Sequence, residues 1–454
     1  MCIRDRCISF PTFAGDYLTN TNQNAAFLRM IARGASIDID GVYSNPAGLS
    51  FLSHEGFYLS LTGQSAYQTR EIDATFPLFQ QADGTNGSRL YKGTASAPFI
   101  PSFQGLYKKD NWVISASFAI TGGGGKASFS NGLPMFDALA MGMIHQQTGG
   151  QVTPQMYDIN TSMDGKQYIY GVQLGLSYKI NDWLSVFAGG RMNYFTGGYE
   201  GYLKTELKND YTQIGQMMGL PDGKTLASID LDCKQTGWGI TPIIGADLKF
   251  NKLNIGLKYE FKANLNLENI TEKMDLINVD RKYLADYEDG VNTPSDIPSM
   301  FSAAIGYEIL PTLRASVEYH FFDDKHAGMA NVTLPDGTSV AKQKTLKHGT
   351  HEYLAGMEWD ITKRLTVSGG FQKTNYGLSN DFQTDTSFSC DSYSLGFGAR
   401  VNLTQAWSID VAYFWTHYNK YTKETDNYNG TGLKGTDIYN RTNKVFGLSL
   451  NYKF

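Results

Sequence analysis

The sequence predicts an all-β protein, a transmembrane antiparallel β-barrel of about fourteen strands with an N-terminal hatch inside its lumen. Three observations predict it. Apolar and polar residues alternate with a period of two over most of the chain, so each strand has one oily and one wet face. The strands are even in number and separated in turn by tight turns and long polar loops, which is the pattern of a lipid-embedded barrel. A stretch of about forty residues ahead of the first strand does not alternate at all.

Composition admits this class and removes others. The 454 residues exceed the roughly 150 of one compact domain, yet no linker divides them. Charged residues are 18% and aromatics 13%, the reverse of a disordered composition. With 39 Lys and Arg against 44 Asp and Glu the formal charge is -5, and no basic run offers a footprint for nucleic acid. No stretch of about 18 consecutive apolar residues occurs, so no helical span is expected.

The chain's start reads as the remnant of a secretory signal. Met1 to Arg6 carries charge without an apolar core, whereas Cys7 to Ala14 has the character of a signal's tail cut after Ala14. Residues 1–14 are therefore expected to be a truncated signal peptide or an artefactual N-terminus, with a cytoplasmic start as the plain alternative. Of the remaining cysteines, Cys233 and Cys390 lie too far apart for metal-ligand spacing, and a disulfide between them stays open.

Residues 15–55 are expected to form the hatch. Ala25 to Gly34 is a short amphipathic helix with Phe27, Met30 and Ile31 on one side and Gly34 as its stop. Asn45-Pro46-Ala47-Gly48-Leu49 is then a constrained turn. The alternative is a tail outside the barrel.

Residues 56–454 are expected to form the barrel. At its end Phe446, Leu448, Leu450, Tyr452 and Phe454 share one face while Gly447, Ser449, Asn451 and Lys453 share the other. Trp407 to Trp415, Leu313 to Phe321 and Leu253 to Phe261 alternate in the same way. Six tight turns rich in Asn, Asp and Pro fall at 109–112, 181–183, 251–253, 310–313, 360–364 and 402–406. Between them lie strands near 56–69, 95–108, 111–122, 166–180, 183–198, 237–250, 253–268, 297–309, 313–324, 349–360, 364–376, 391–402, 406–419 and 441–454. Aromatic residues at strand ends (Trp112, Tyr178, Trp183, Trp407, Tyr452) suit headgroup-level girdles. Closure follows from hydrocarbon, which leaves no partner for an unpaired backbone group, so strands cross only as a ring without edges. A soluble sandwich or propeller shares the alternation but buries its aromatics.

The Asn45 to Leu49 motif, placed after an Ala/Gly-rich helix and before the first strand, resembles the hatch motif of the FadL-type transporters, the long-chain fatty-acid and TodX-like outer-membrane proteins. Gly237-Trp-Gly-Ile, Gly245-Ala-Asp-Leu and Leu257-Lys-Tyr-Glu-Phe-Lys resemble that family's sixth and seventh strands, and Ile297-Pro-Ser-Met-Phe-Ser the start of its eighth. The terminal Phe454 is similar to the assembly signal of outer-membrane proteins. The resemblance implies a fourteen-stranded, hatch-occluded barrel in the outer membrane of a Gram-negative bacterium. It implies passive uptake of hydrophobic compounds such as long-chain fatty acids, captured by extracellular loops and released sideways through the wall at a kinked third strand. Its implied partners are hydrophobic small molecules or fatty acids, outer-membrane lipid and the barrel assembly machinery, with no nucleic acid, no cofactor and a monomeric state.

Candidate residues follow. Gly122, Gly123, Gly124 and Gly125 directly follow the third strand and form the candidate lateral opening, since glycine weakens pairing and permits bulges; a flexible loop entrance is the alternative. A capture site for an apolar ligand is a greasy groove on polar loops, gaining about 0.8 kcal/mol per buried CH2. Ile214, Met217 and Met218 on one loop and Met274, Ile277 and Leu284 on another supply it, and the family forms its groove from these two loops; packing the loops together is the plain alternative. Met135 to Ile144 is a third Met-rich stretch. For a carboxylate ligand, Arg191, Lys258 and Arg314 lie on polar strand faces, where networks with Glu260 and Glu318 compete for them. The family's basic residue near the top of the fifth strand has no counterpart in Gly197-Gly-Tyr-Glu-Gly201.

Two rival classes remain: a water-filled porin and a barrel enzyme. His320 faces inward and His351 opens another strand, but no Ser, His and acid set falls at one barrel height and no metal spacing appears, so neither a catalytic residue nor a metal site is assigned.

Overall fold

A computed structural model describes residues 20–84, 86–334 and 336–454. The expected signal remnant at 1–14, with Cys2, Cys7 and the cleavage point at Ala14, lies outside the described residues, as does the start of the hatch.

Among the described residues one closed antiparallel sheet dominates. Its seventeen hydrogen-bonded segments make fourteen staves, because three staves are each interrupted once. They are β1 (Gly56–Thr75), β2 (Ser88–Lys109), β3 (Trp112–Phe129), β4 (Tyr157–Lys179), β5 (Leu184–Leu207), β6 (Thr225–Phe250), β7 (Leu253–Glu260 and Asn266–Ile277), β8 (Asn292–Pro294 and Met300–Leu310) and β9 (Leu313–Phe322). There follow β10 (Thr350–Asp360), β11 (Leu365–Asn375), β12 (Ser392–Asn402), β13 (Trp407–Tyr418 and Tyr421–Thr425) and β14 (Gly435–Lys453). Each stave pairs with its neighbours in sequence, and β1 pairs with β14 from Tyr58↔Lys453 to Thr75↔Thr436, which closes the ring and abolishes edges.

Alternation decides which face meets lipid. On β14 Leu448 is 56% exposed while Ser449 is 0% exposed, and on β3 Ile114 and Ser115 differ likewise at 63% and 3%. Beside the short turns Trp112 packs tilted against Tyr178 with ring centres 4.3 Å apart, and Trp407 against Tyr452 at 4.4 Å, forming the expected aromatic girdle.

Two expectations about the staves need correction. Several run much further toward the long loops than their apolar alternation indicates: β6 has 26 residues, whereas β9 has 10, about the length needed to cross hydrocarbon. The extensions carry outward ion pairs such as Lys126 with Asp164 and Lys273 with Asp230, while inward Leu203, Leu207, Ile229 and Leu231 pack into the core at the loop end, so the alternation turns over to apolar-in and polar-out as the backbone ladder continues. The glycines 122–125 consequently lie inside β3 rather than beyond its end. Also, β7 and β8 are not continuous; they break at 261–265 and 295–299, where Ala263 bridges Ile297, the Ser295 amide donates to the Leu265 carbonyl at 2.8 Å, and Pro298 has no N–H to give a ladder.

Two loop helices, Pro77–Asp83 and Pro134–Thr148, close the loop end over a cluster that includes Phe76, Phe79, Leu139, Met141, Phe388 and Tyr439. The Met135 to Ile144 stretch is thus largely buried in this cap. Cys233 and Cys390 are both buried but not bridged to each other: Cys233 receives a hydrogen bond from Thr271 on β7, and Cys390 lies against Tyr439 on β14.

Candidate functional site

Residues 20–52 lie against the inward faces of the staves. The helix α1 (Ala25–Met30) is shorter than expected, because the chain turns at Ile31, whose φ of 61° is left-handed. That turn lays the Met30 carbonyl over Gly356 on β10 and Gly370 on β11, where a Cβ at either glycine would collide with it. Before the turn Arg29 donates to Glu358 at 2.6 Å and to Asp410 at 2.8 Å, and beyond it Arg33 forks onto Asp40 at 2.7 and 2.8 Å. Both arginines are 1% exposed, so these buried cations are answered at once by carboxylates from the wall and from the segment itself.

The Asn45 to Leu49 motif has a physical role at every position. Asn45 donates to Asp247 on β6 at 2.6 Å and accepts from the Gly48 amide at 3.2 Å, closing a tight turn. Pro46 starts the 3-10 turn Ala47–Phe51, and its carbonyl accepts from Ser177 at 2.6 Å, while Ser185 donates to the Ala47 carbonyl. A Cβ on Gly48 would strike the Asn45 amide. Leu49 is fully buried with Ile39, Val42 and Val113. Inward hydroxyls and amides thereby satisfy the segment's carbonyls, as buried backbone requires.

The three lumen cations are not brought to one point. Arg191 and Lys258 meet at Glu260, at 2.8 and 2.9 Å, and both lie over the ring of Tyr43, at 5.1 and 4.0 Å. Arg314 sits apart near the short-turn end, donating to Asp360 at 2.7 and 2.9 Å. All three therefore belong to charge networks of the wall and the segment docked on it. The sequence reading missed Arg29 and Arg33, although two arginines four apart in an otherwise apolar stretch are a signal that buried carboxylates await them.

The ladder between β2 and β3 is interrupted. The β2–β3 ladder passes from Ser96↔Lys126 directly to Ser102↔Ala119, leaving 97–101 and 120–125 without mutual pairing. On its other side β3 shifts register against β4 between Ile120 and Gly122 and again between Gly123 and Gly125. Gly123 has φ of 66°, and a Cβ there would strike the Gln167 carbonyl; Gly124 lies in the same stretch. The facing part of β2 contains Pro98 and Pro101, which lack N–H groups to pair; this second signal went unread in the sequence. Asn20 occupies the inner side of the gap, its backbone N–H donating to Thr121 at 2.7 Å and its side chain to Gly123 at 3.0 Å and Ile120 at 3.3 Å.

A cavity of about 310 Å³ lies between residues 20–27 and the loop cap, and Gly123 and Gly125 form part of its wall. Above it the two Met-rich loops divide. Leu284 is buried in the cap cluster and Ile214 and Met274 pack on it, whereas Met217, Met218 and Ile277 face outward, at 80%, 43% and 48% exposure. In the cap Asp385 accepts from the Met135 amide at 2.7 Å and the Tyr439 hydroxyl at 2.9 Å, and burial holds its carboxyl above the usual range. Among the described residues no group of His, Cys, Asp and Glu is arranged to hold a metal ion.

The model of one protein family, described as outer membrane protein transport protein (OMPP1/FadL/TodX), matches residues 6–454. Among solved structures, the chain is similar to a Pseudomonas aeruginosa FadL homologue, with a TM-score of 0.67 at 17% identity over 97% of this chain and 100% of that one. It is similar also to the Ralstonia pickettii toluene transporter TbuX (0.56, 14%, 98% and 99%) and to the P. putida toluene transporter TodX (0.54, 12%, 92% and 94%). At these identities the likeness is one of fold. No curated protein matches.

Proposed function

The chain belongs to the outer membrane protein transport family (OMPP1/FadL/TodX), and from that premise we propose that it takes up hydrophobic compounds passively, with residues 20–52 as the hatch and the β2–β3 break as a lateral exit. It is an outer-membrane protein of a Gram-negative bacterium, and its family consists of transport channels rather than enzymes. Long-chain fatty acids are one candidate cargo and small aromatic hydrocarbons another. In this reading the outward Met217, Met218 and Ile277 offer the first apolar surface, while Ile214, Met274 and Leu284 hold the two loops to the cap. The cargo then enters the cavity and leaves between β2 and β3 into the membrane, never crossing the docked hatch.

The observation that carries the reading is the cavity's position against an unpaired stretch of wall. In a lipid-facing barrel unpaired backbone is tolerated only where something repays it, here the hydrogen bonds from Asn20.

A stitch across the break tests it. A Cβ on Gly125 would lie 3.9 Å from the Ala97 Cβ, close to the roughly 3.8 Å typical of a disulfide. The double variant Ala97→Cys, Gly125→Cys is expected to lose at least about tenfold of its uptake of labelled oleate and toluene when oxidised, and to regain it on reduction. Full uptake through a barrel whose stitch is verified by mass would remove the lateral exit.

A further inference from the structure

Outward lysines stand at and above the loop-side rim of the lipid band, and the two halves of the barrel treat them differently. From β1 to β7 the wall's own carboxylates answer them: Lys92 meets Glu71 at 2.9 Å, Lys126 meets Asp164 at 2.7 Å, and Lys234 and Lys273 meet Glu272 and Asp230. On β11 and β14 the surroundings are of another kind. Lys373 stands across the ladder from Tyr353 on β10 and Tyr393 on β12, with Phe371 and Asn375 as the next outward positions of its own stave. Lys444 stands across from Trp415 on β13 and Tyr67 on β1, between Thr442 and Phe446. Both lysines are exposed, and none of these neighbours is acidic.

The surface between the two lysines is aromatic. Tyr393, Trp415 and His417 form one cluster, with ring centres 5.0 Å apart for Tyr393 and His417 and 6.0 Å apart for Tyr393 and Trp415. Rings of this kind sit at the headgroup level of a bilayer, and below them Phe371, Leu395, Phe446 and Leu448 face the hydrocarbon. From β11 to β14 the ladder takes three steps. At about 4.8 Å a step, the lysine backbones stand on the order of 14 Å apart. A lysine that only reaches from the membrane edge to water is indifferent to its neighbours. Two cations on one stretch of rim, without the carboxylates that neutralise the other half, attract an anion, and the anions at that depth are lipid phosphates.

We propose that the outer face of β11 to β14 docks a phosphorylated glycolipid of the outer leaflet, with Lys373 and Lys444 each taking one phosphate of a headgroup phosphorylated at both ends. The sugars between the phosphates lie on Tyr393, Trp415 and His417, whose rings pair an apolar body with a polar tip. The acyl chains run down over Phe371, Leu395 and Leu448. This surface lies outside the lumen, so it stands whatever the channel carries.

Native mass spectrometry of the full chain in detergent micelles with added lipid tests it. The probes are lipid A carrying both phosphates and the same lipid carrying one. The native chain is expected to hold the bisphosphorylated form at least about fivefold tighter, the share of one lysine at a membrane surface. Lys373→Gln and Lys444→Gln, each checked for folding by heat-dependent gel mobility, are each expected to bring the two lipids within about twofold. Lys234→Gln with Lys273→Gln changes the ion-paired half of the rim instead and is expected to leave the preference as it was. No preference in the native chain, or binding of neither lipid, overturns the proposal. So does a preference that survives either single substitution, or one that falls as far when Lys234 and Lys273 are replaced.

Discussion

Asp324 shows how a single side chain outside the membrane makes the fold depend on pH. It follows the end of β9, is 1% exposed, and accepts from the Thr350 amide at 2.9 Å. Burial pushes its carboxyl up to about 7, against hydrogen bonds from Thr350 that pull the other way. A carboxyl raised in the folded state binds its proton more tightly there than in the unfolded chain. The stability it contributes is complete below the ordinary carboxylate range near pH 4 and is lost as the pH rises through about 7. Hydrogen exchange at the Thr350 amide, corrected for intrinsic rates, is therefore expected to lose protection between about pH 4 and 7, and Asp324→Asn to flatten that dependence; equal pH dependence in both would refute it. Side chains of this kind show how far a sequence can be read. Strand alternation placed Arg191, Lys258 and Arg314 inward with Glu260 among their expected neighbours, which Arg191 and Lys258 do meet, but Tyr43 and Asp360 follow only from register and from where the N-terminal segment docks.

The elements divide sharply by what the surrounding solvent demands of them. Where lipid faces the wall, one face must be apolar, and the boundaries of β9 to β12 were legible to within about two residues. Above the lipid the phase turns over, with Leu203, Leu207, Ile229 and Leu231 inward and Lys204, Glu206, Asp230 and Asp232 outward, so the extensions of β5 and β6 carry a period-2 trace that an apolar-outward rule passes over, and the β4–β5 ladder runs unbroken from Tyr157↔Leu207 to Lys179↔Ser185. Residues 20–52 were legible as a separate unit for the same reason in reverse, since they neither alternate nor form a long helix. What the sequence could not convey was the shelf they rest on. Gly256, Gly356, Gly370 and Gly396 come from four different staves, and each would bring a Cβ against a backbone carbonyl of Leu28, Met30 or Gly34. Valine at Gly370 keeps the alternation and the ladder but removes that space, so it is expected to lift the segment while the barrel still forms. A cysteine at Ala32, which is fully buried, should resist maleimide in the native background and react in Gly370→Val. Continued protection with the substitution in place would mean that the shelf does not seat the segment.

For the whole molecule the remaining question is whether the bore is a pore, as in a water-filled porin, or a closed cylinder. The inward faces are hydrophilic enough to hold water, with Gln104, Asn193, Thr241 and Asp410 among their buried polar residues. What fills that space is the N-terminal segment, whose Arg29 and Arg33 meet Glu358 and whose Asn45 meets Asp247. The intact chain is accordingly expected to show no steady ion conductance in planar bilayers. Deleting residues 20–52 removes the segment and strips Glu358 and Asp410 of the Arg29 guanidinium, leaving a wall in which Asp247, Glu260, Glu318, Glu352, Glu358, Asp360 and Asp410 outnumber Arg191, Lys258, Arg314 and Arg400. A wall of that balance attracts cations, so the deleted form should conduct steadily and prefer potassium over chloride, with its reversal potential in a salt gradient reporting the sign. Because the deletion also removes contacts that help hold the staves, Arg29→Met with Gly370→Val serves as a milder variant that keeps the segment but unseats it, and intermittent openings are expected there. A native chain that conducts as freely as the deleted one would make the barrel an ordinary porin, since a cylinder open to ions has no need of a side exit.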